Sequence, residues 1–535
     1  MERYDVIVIG AGFSGLYALH KLREQGLRVR VLEQADAVGG TWLVNRYPGA
    51  RCDIESIEYS YSFSEEIEQE WVWTESMPAQ PEIEAYLNFV ADRLDLRRDI
   101  AFGAEVFALS FDEGQAQWRL ETSAGQYAAQ FVVAASGILS VPLEPDIPGM
   151  DSFAGRSLFT SRWPDEHVDL TGQRVGVIGT GSTGVQLIPV VAREAGQLSV
   201  FQRSAAFTLP WTVQEFAPGE LDALKSDYAG IRAAQRAHPV GAARLSAFSV
   251  LLDMLASPPI KTATREEQLR AIEERGVLGA LNWGDVFFDI EANRMATALY
   301  GEAIARIVDD PATAAALVPT HPFACKRPII DQGYFETFNR DNVTLIDLRE
   351  GPIVSVTPTG ISTEQGDVDL DVIIYATGFD AMTGALSRMK VRGPHGRLLG
   401  DYWSEEGPLS YLGLAVAGFP NLFTVQGPGS PSAATNFVAA MEQHIEWIAE
   451  CIGYLREHGH RSIDAQPDAQ REWIEHATAL VAPTVLVHPS CNSWYNGANV
   501  PGKKRMYMGY TAGIPEYRRR CDEIAANGYQ GFTLA

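Results

Sequence analysis

The sequence predicts an α/β chain built from two βαβ-based parallel-sheet units, the second interrupted by a helical insertion. Three observations predict it. A buried-strand pattern at residues 4–9 runs into GAGFSG, and helical spacing through Leu16, Leu19 and Leu22 leads to a second strand at 28–32. The same succession returns at RVGVIGTGSTG from Arg174, followed by a strand at 198–202. Between about 211 and 319 the strand signals fade, and stretches such as 266–275 and 291–308 show amphipathic helical spacing. Strand patterns resume at 342–347 and 370–375, so the second unit is expected to close around the insertion. The expected layout is two Rossmann-like dinucleotide-binding domains, 1–140 with 380–535 and 141–212 with 322–379, and a helical insertion at 213–321.

A chain of 535 residues is too long for one core, and a prior of about 150 residues per domain suggests three or four units. With 46% hydrophobic and 21% charged residues it has a globular composition, with no apolar run of membrane-spanning length. The 43 basic and 68 acidic residues leave a net charge of −25, which repels phosphate backbones and anionic lipid alike. Neither nucleic acid nor membrane is an expected partner, and no obligatory protein partner is expected. The first residues run directly into a strand pattern, without a leader-like segment. The five cysteines, Cys52, Cys325, Cys451, Cys491 and Cys521, are widely spread with no CxxC pair. A reduced, cytoplasmic setting is therefore expected, without a disulfide framework or a dithiol redox centre.

Gly10, Gly12 and Gly15 form GxGxxG between a strand and a helix, where glycine lets the backbone approach a pyrophosphate seated on helix N–H groups. The motif alone is weak. Glu33 strengthens it, because a carboxylate about 20 residues on, at the end of the second strand, can accept hydrogen bonds from ribose hydroxyls. FAD is expected here.

Gly179, Gly181 and Gly184 repeat the fingerprint, but the strand that follows ends in Gln202, Arg203 and Ser204, with no acid. A carboxylate there would repel a 2′-phosphate, whereas the Arg203 guanidinium can hold one, so NADPH is expected over NADH. Alternatively Arg203 only covers the sheet edge. Lys326 is a second candidate phosphate partner.

Long motifs run beyond these turns: GGTWLVNRYPGARCDIES at 39–56, FAGRSLFTSRWP at 153–164, CKRP at 325–328, FNRDNV at 338–343, ATGFD at 376–380, GPGSPSA at 427–433 and SWYNGANVPGK at 493–503. On these the chain resembles the type I Baeyer–Villiger monooxygenases over effectively its whole length. The resemblance implies an FAD-dependent enzyme that consumes NADPH and O2 and converts ketones to esters or lactones through a peroxyflavin. One position departs from the pattern: Phe159 stands where the family carries a histidine associated with the interdomain linker.

The resemblance implies Arg327 as the cation that offsets the charge of a peroxyflavin in a dry pocket. Arginine suits the role because its planar fork stays protonated. It implies Asp53 as the partner orienting that guanidinium, although on the residues alone Asp53 could equally cap a helix at 54–59. Trp494 matches a residue near the nicotinamide and the substrate, with core packing as the alternative. Thr41, Trp42, Tyr59, Val106 and Phe437 are implied as flavin neighbours. Arg51, Cys52, Thr180, Ser182, Thr183, Gln186 and Ser204 are implied around the nicotinamide cofactor, with no metal.

Three other functions compete. A flavin-containing monooxygenase oxidising nitrogen or sulfur also carries two glycine fingerprints, but RCDIES, CKRP and the Trp163-Pro164 ending argue against it. A dithiol flavoprotein reductase needs paired cysteines. A non-catalytic nucleotide sensor would have no use for Arg327 with Asp53.

Overall fold

The computed structural model describes residues 1–244 and 247–535, so a small part of the insertion expected at 213–321 lies outside the described residues. Strand β1 (Glu2–Ile9), helix α1 (Phe13–Glu24) and strand β2 (Val29–Leu32) form the first βαβ unit. Residues 6–9 are all buried because both sheet faces are covered. Val6 and Val8 enter one core, and Ile7 and Ile9 enter another.

The first sheet runs in the order Lys390–Arg392, Val106–Asp112, Gln117–Thr122, Gly125–Ala134, β1, β2, Ile100–Ala101. Gly125–Ala134 is long enough to hold two partners in succession along one edge: Gln117–Thr122 antiparallel beside 125–129 and Leu422–Thr424 parallel beside 132–134. Residues from far down the chain thus complete the sheet begun at the N-terminus.

Strand β3 (Arg174–Ile178), helix α2 (Ser182–Glu194) and strand β4 (Gln197–Gln202) repeat the unit. Their sheet is parallel throughout, in the order Val343–Asp347, β4, β3, Val372–Tyr375, Arg156–Phe159. A small antiparallel sheet of Ile353–Thr357, Gly360–Thr363 and Gly366–Asp369 leads into Val372–Tyr375. It is absent from the sequence expectation because its strands are four or five residues long and carry little apolar alternation.

The insertion is helical. The helix expected at 266–275 is longer, Arg265–Leu281, opened by a capping box between Thr264 and Glu267 and broken at Gly276, where φ is +57°. Ile290–Ile304 is capped by Asp289, which accepts from the N–H groups of Glu291 and Ala292. Arg232 binds the insertion to the first body: it is 3% exposed, pairs with Glu68 at 2.6 Å, and donates to Ser60 Oγ and the Tyr61 carbonyl. A desolvated guanidinium held by a carboxylate and several hydrogen bonds makes this a specific contact. Among the described residues no helix is long and apolar enough to cross a membrane.

The helix Phe437–Glu457 packs beside α1 and buries Glu442, which accepts from Ser62 N–H at 2.7 Å and Ser62 O–H at 2.5 Å. Burial pushes its carboxyl from the ordinary 4.5 up to about 7, against the lowering effect of those bonds. A folded-state pKa above the unfolded value gives stability that is present below pH 4.5 and lost as pH rises through 7, on the order of 3 kcal/mol in all. Wild type should therefore lose stability relative to Glu442→Gln as pH rises from 5 to 8. Denaturant titrations of both proteins test this, and a pH-independent difference contradicts it.

Candidate active site

Two of the three glycines in the first turn are required by the turn itself. Gly10 has φ of +102° and a Cβ there would lie 2.6 Å from the Ala135 carbonyl, while a Cβ on Gly15 would lie 1.8 Å from the Gly10 carbonyl. Gly12 differs, since its Cβ would meet nothing nearer than Gly40 Cα at 3.5 Å. Its backbone therefore faces the Gly39-Gly40 turn at the start of α1, a helix with no side-chain cap. Bare glycine backbone against uncapped helix N–H groups is a cradle that fits a pyrophosphate. Glu33 is held beside it, accepting from Ala11 N–H at 2.6 Å and Ala35 N–H at 2.8 Å. Each carboxylate oxygen keeps a lone pair for a ribose diol.

The second turn divides its glycines in the same way. Cβ atoms on Gly179 and Gly184 would lie 2.4 Å from the Ala376 carbonyl and 2.2 Å from the Gly179 carbonyl, whereas one on Gly181 would meet nothing within 4 Å. Ser182 and Thr183 open α2, which again lacks a side-chain cap. Thr180 Oγ1 donates to the Ser204 carbonyl at 2.9 Å, joining the turn to the end of β4. Arg203 is exposed there. Lys326 comes close to it: burial and then the Arg203 charge lower the Lys326 pKa. Burial and the Lys326 charge together hold His321 down at about 3, so it adds no charge near neutral pH. Two cations brought near each other are suited to hold an anion.

The segment 39–59 joins the two turns. Thr41 and Trp42 begin a single helical turn, Thr41–Val44, and Trp42 Nε1 donates to the Tyr59 hydroxyl at 3.1 Å. Tyr59 packs edge-on against Phe13 at 5.3 Å. Phe437 packs on this same core, whereas Val106 belongs to the core on the opposite sheet face. Gln186 of α2 accepts from the Tyr47 hydroxyl at 2.8 Å and donates to the Arg51 carbonyl at 2.9 Å, fastening this loop to the second body. Arg51 pairs with Glu75.

Asp53 and Arg327, 274 residues apart, form an ion pair. No helix forms at 54–59, so the capping alternative for Asp53 is not realised. The two side chains are 21% and 24% exposed. Burial opposes the Arg327 charge, but Asp53, Tyr495 and Cys52 outweigh it and the guanidinium pKa is raised. Burial pushes the Cys52 thiol up, which disfavours its thiolate. Trp494 packs beside Ala381, Met382 and Met508 with Ile138 and Leu139. Tyr495, which lies in the SWYNGANVPGK motif but was given no role there, is 6% exposed and faces the Asp53–Arg327 pair electrostatically. Its place in that motif, beside Trp494, was the signal that could have found it.

Phe159 is part of a stack. It lies 4.8 Å from Tyr375 with rings 17° apart, and the Arg162 guanidinium sits 4.2 Å from its centroid. Arg162 also pairs with Glu144 at 2.8 Å. Where a histidine was expected, an aromatic face and a cation–π contact join Val372–Tyr375 to the segment around 144.

The cysteine expectation needs correction. Cys325 and Cys491, 166 residues apart, are disulfide-bonded with Cα atoms 5.9 Å apart. Cys52, Cys451 and Cys521 are free and buried. Spacing could not reveal a pair made only by the tertiary fold.

A profile of the pyridine nucleotide-disulphide oxidoreductases matches residues 4–244. A Baeyer-Villiger monooxygenase from Pseudooceanicola batsensis (strain ATCC BAA-863 / DSM 15984 / KCTC 12145 / HTCC2597) is 40% identical, covering 98% of this chain and 95% of its own. Phenazine N-monooxygenase PhzNO1 from Lysobacter antibioticus is 38% identical, covering 99% and 97%. Oxidized steroid monooxygenase bound to NADP is 43% identical with a TM-score of 0.90, covering 100% and 99%. OTEMO in complex with FAD and NADP is 36% identical with a TM-score of 0.90, covering 99% of both chains.

The open space above Gly181 generates a prediction. Gly181→Val should fold, stay yellow with bound flavin, and show a raised Michaelis constant for NADPH. Arg203→Ala should weaken NADPH by about tenfold to a hundredfold, the worth of one charged hydrogen bond, and leave NADH nearly unaffected. Steady-state kinetics with both nucleotides decide it, and equal losses for NADH and NADPH in Arg203→Ala contradict the phosphate site.

Proposed function

The chain belongs to the Baeyer–Villiger monooxygenases, FAD- and NADPH-dependent oxidoreductases that use O2 to convert ketones into esters or lactones, and we propose that Arg327 and Asp53 serve the oxygen-insertion half of that reaction. When bound, FAD takes a hydride from NADPH and activates O2 for transfer of one oxygen atom to the substrate. In this proposal the body formed by 1–140 and 380–535 holds FAD through Gly10, Gly12, Gly15 and Glu33, with Thr41, Trp42, Tyr59 and Phe437 about the ring system, while Val106, on the opposite sheet face, stands apart from that group. The body of 141–212 and 322–379 holds NADPH, with 213–321 inserted between its parts. Gly181, Gly184, Thr180, Ser182 and Thr183 receive the pyrophosphate, and Arg203, Ser204 and Lys326 receive the 2′-phosphate. Arg51, Cys52, Gln186 and Trp494 flank the nicotinamide half.

The Asp53–Arg327 ion pair is the observation that carries the mechanism. Oxygen insertion builds negative charge on the carbonyl oxygen of the ketone. A guanidinium fixed before that charge appears stabilises it without reorganising, and the benefit is specific to the transition state. Asp53 supplies the fixation. It anchors one edge of the fork and keeps Arg327 protonated in a half-buried place, where an uncompensated charge would be costly. Asp53 touches no substrate in this scheme, so it is a positioning residue. Ketone and O2 are the co-substrates, and no protein partner is required.

The N-oxidising relative gives a second reading a footing. A heteroaromatic nitrogen carries no carbonyl oxygen to stabilise, so N-oxidation would make little demand on Arg327.

Arg327→Ala should retain FAD and be reduced by NADPH, yet lose about a hundredfold in ester or lactone yield, the worth of one charged hydrogen bond, and release peroxide instead. Asp53→Ala should impair the same step with the fold intact. Stopped-flow reduction combined with product chromatography on cyclic, aryl and steroidal ketones measures both halves. Normal ester yield from Arg327→Ala contradicts the assignment, and N-oxide formation surviving in that variant would favour the second reading.

A further inference from the structure

We propose that the Cys325–Cys491 disulfide positions the active site for oxygen insertion, by tying the loop of Trp494 and Tyr495 to the turn of Lys326 and Arg327. The proposal rests on the role given to Arg327 above. The tie is close to the chemistry on both sides. Arg327 follows Cys325 by two positions and Trp494 follows Cys491 by three, so at about 3.8 Å per Cα step neither can stray far from the bond. Both sulfur-bearing residues are fully buried, packed with Val485 and Phe287.

The loop is folded tightly about its half of the bond. The Cys491 carbonyl accepts from Asn496 Nδ2 at 3.0 Å and from Arg505 Nη2 at 2.5 Å. Tyr495 is clasped by Met508 N–H, which donates to its carbonyl at 2.8 Å, and its ring packs edge-on against Trp494 at 4.4 Å. Other anchors of this loop lead to a different segment: Lys503 pairs with Asp380 at 2.7 Å, and Asn499 donates to the Phe379 carbonyl at 2.9 Å. Those contacts hold the loop near 379–381. The disulfide is the covalent link to the Arg327 turn itself, and it fixes the distance across which Tyr495 acts on the Asp53–Arg327 pair.

Formation of the bond is a two-electron oxidation. Two thiols lose two protons and two electrons to a peroxide, which is reduced to two waters, and the two sulfurs join. A phosphine reductant reverses it by supplying the two electrons, taking up an oxygen from water, while both sulfurs regain protons. Opening the bond leaves every hydrogen bond of the loop available, so the expected consequence is a loosened Arg327 environment and not unfolding.

The test uses the FAD-loaded full-length enzyme. Alkylation after denaturation without reductant should label Cys52, Cys451 and Cys521 and leave a Cys325–Cys491 cross-linked peptide, whereas treatment with a phosphine until all five cysteines label should remove it. With the phosphine washed out, the reduced enzyme should bleach its flavin with NADPH at an unchanged rate, form several-fold less ester per NADPH, and release correspondingly more peroxide. Reoxidation should restore the ester yield. Cys491→Ser should match the reduced enzyme and ignore the reductant. Labelling of all five cysteines in untreated protein overturns the bond, and an unchanged ester yield after verified reduction overturns its positioning role. Failure of the Arg327 assignment is distinguishable, because it shows as normal ester yield in Arg327→Ala whatever the thiol state.

Discussion

A guanidinium that is three-quarters withdrawn from water has to be matched by an anion, and the anion has to come from somewhere the fold can hold still. Here Arg327 lies just before the short strand Ile329–Asp331, and Asp53 lies on the irregular segment after the first helical turn of the 39–59 loop. Asp53 sits between Cys52 and Ile54 of one hydrophobic core, and Arg327 between Ala324 and Ile329 of another. The ion pair can form only when the bodies are correctly docked, so the docking contacts become part of the site. Gln186 clasping the Arg51 carbonyl and the Tyr47 hydroxyl is one of them, placed two residues before Asp53. Arg232 pairing with Glu68 is another, from the insertion.

The two nucleotide turns obey the same local rule and differ where specificity requires it. In each, the outer glycines are compelled by close backbone approach, whereas a Cβ on the middle one would meet at most an ordinary contact, at 3.5 Å for Gly12 and none within 4 Å for Gly181. What separates them is the end of the following strand: a buried carboxylate at Glu33, bound to the turn by Ala11 N–H, against the exposed Arg203 with Lys326 brought beside it. In the proposed reading, charge at one strand end sorts the two cofactors, while the cradle is shared.

Much of this was legible in the sequence because its signals are local. Strand, glycine turn and helix are contiguous at both units, and the helical insertion shows in its spacing. The small sheet at 353–369 was not legible, because its strands are short and weakly patterned. Contacts between distant positions were legible only through resemblance or not at all. Nothing in the local pattern brings Lys326 to Arg203, Tyr495 to Arg327, or Cys325 to Cys491, since each pair is made by the packing of separate segments. The cysteine spacing pointed away from a disulfide for the same reason. Phe159 shows the converse case: a departure from the expected residue type is absorbed by Tyr375 and Arg162, which supply a stack and a cation–π contact in its place.

The pair should act as one unit, because Asp53 has no function in this scheme except through Arg327. Effects of residues that act as a unit are strongly non-additive. The most direct measurement is a double-mutant cycle, with ester formed per NADPH consumed as the readout for wild type, Asp53→Ala, Arg327→Ala and the double variant. The account predicts that the double variant is no worse than Arg327→Ala alone. Losses that multiply independently would contradict it.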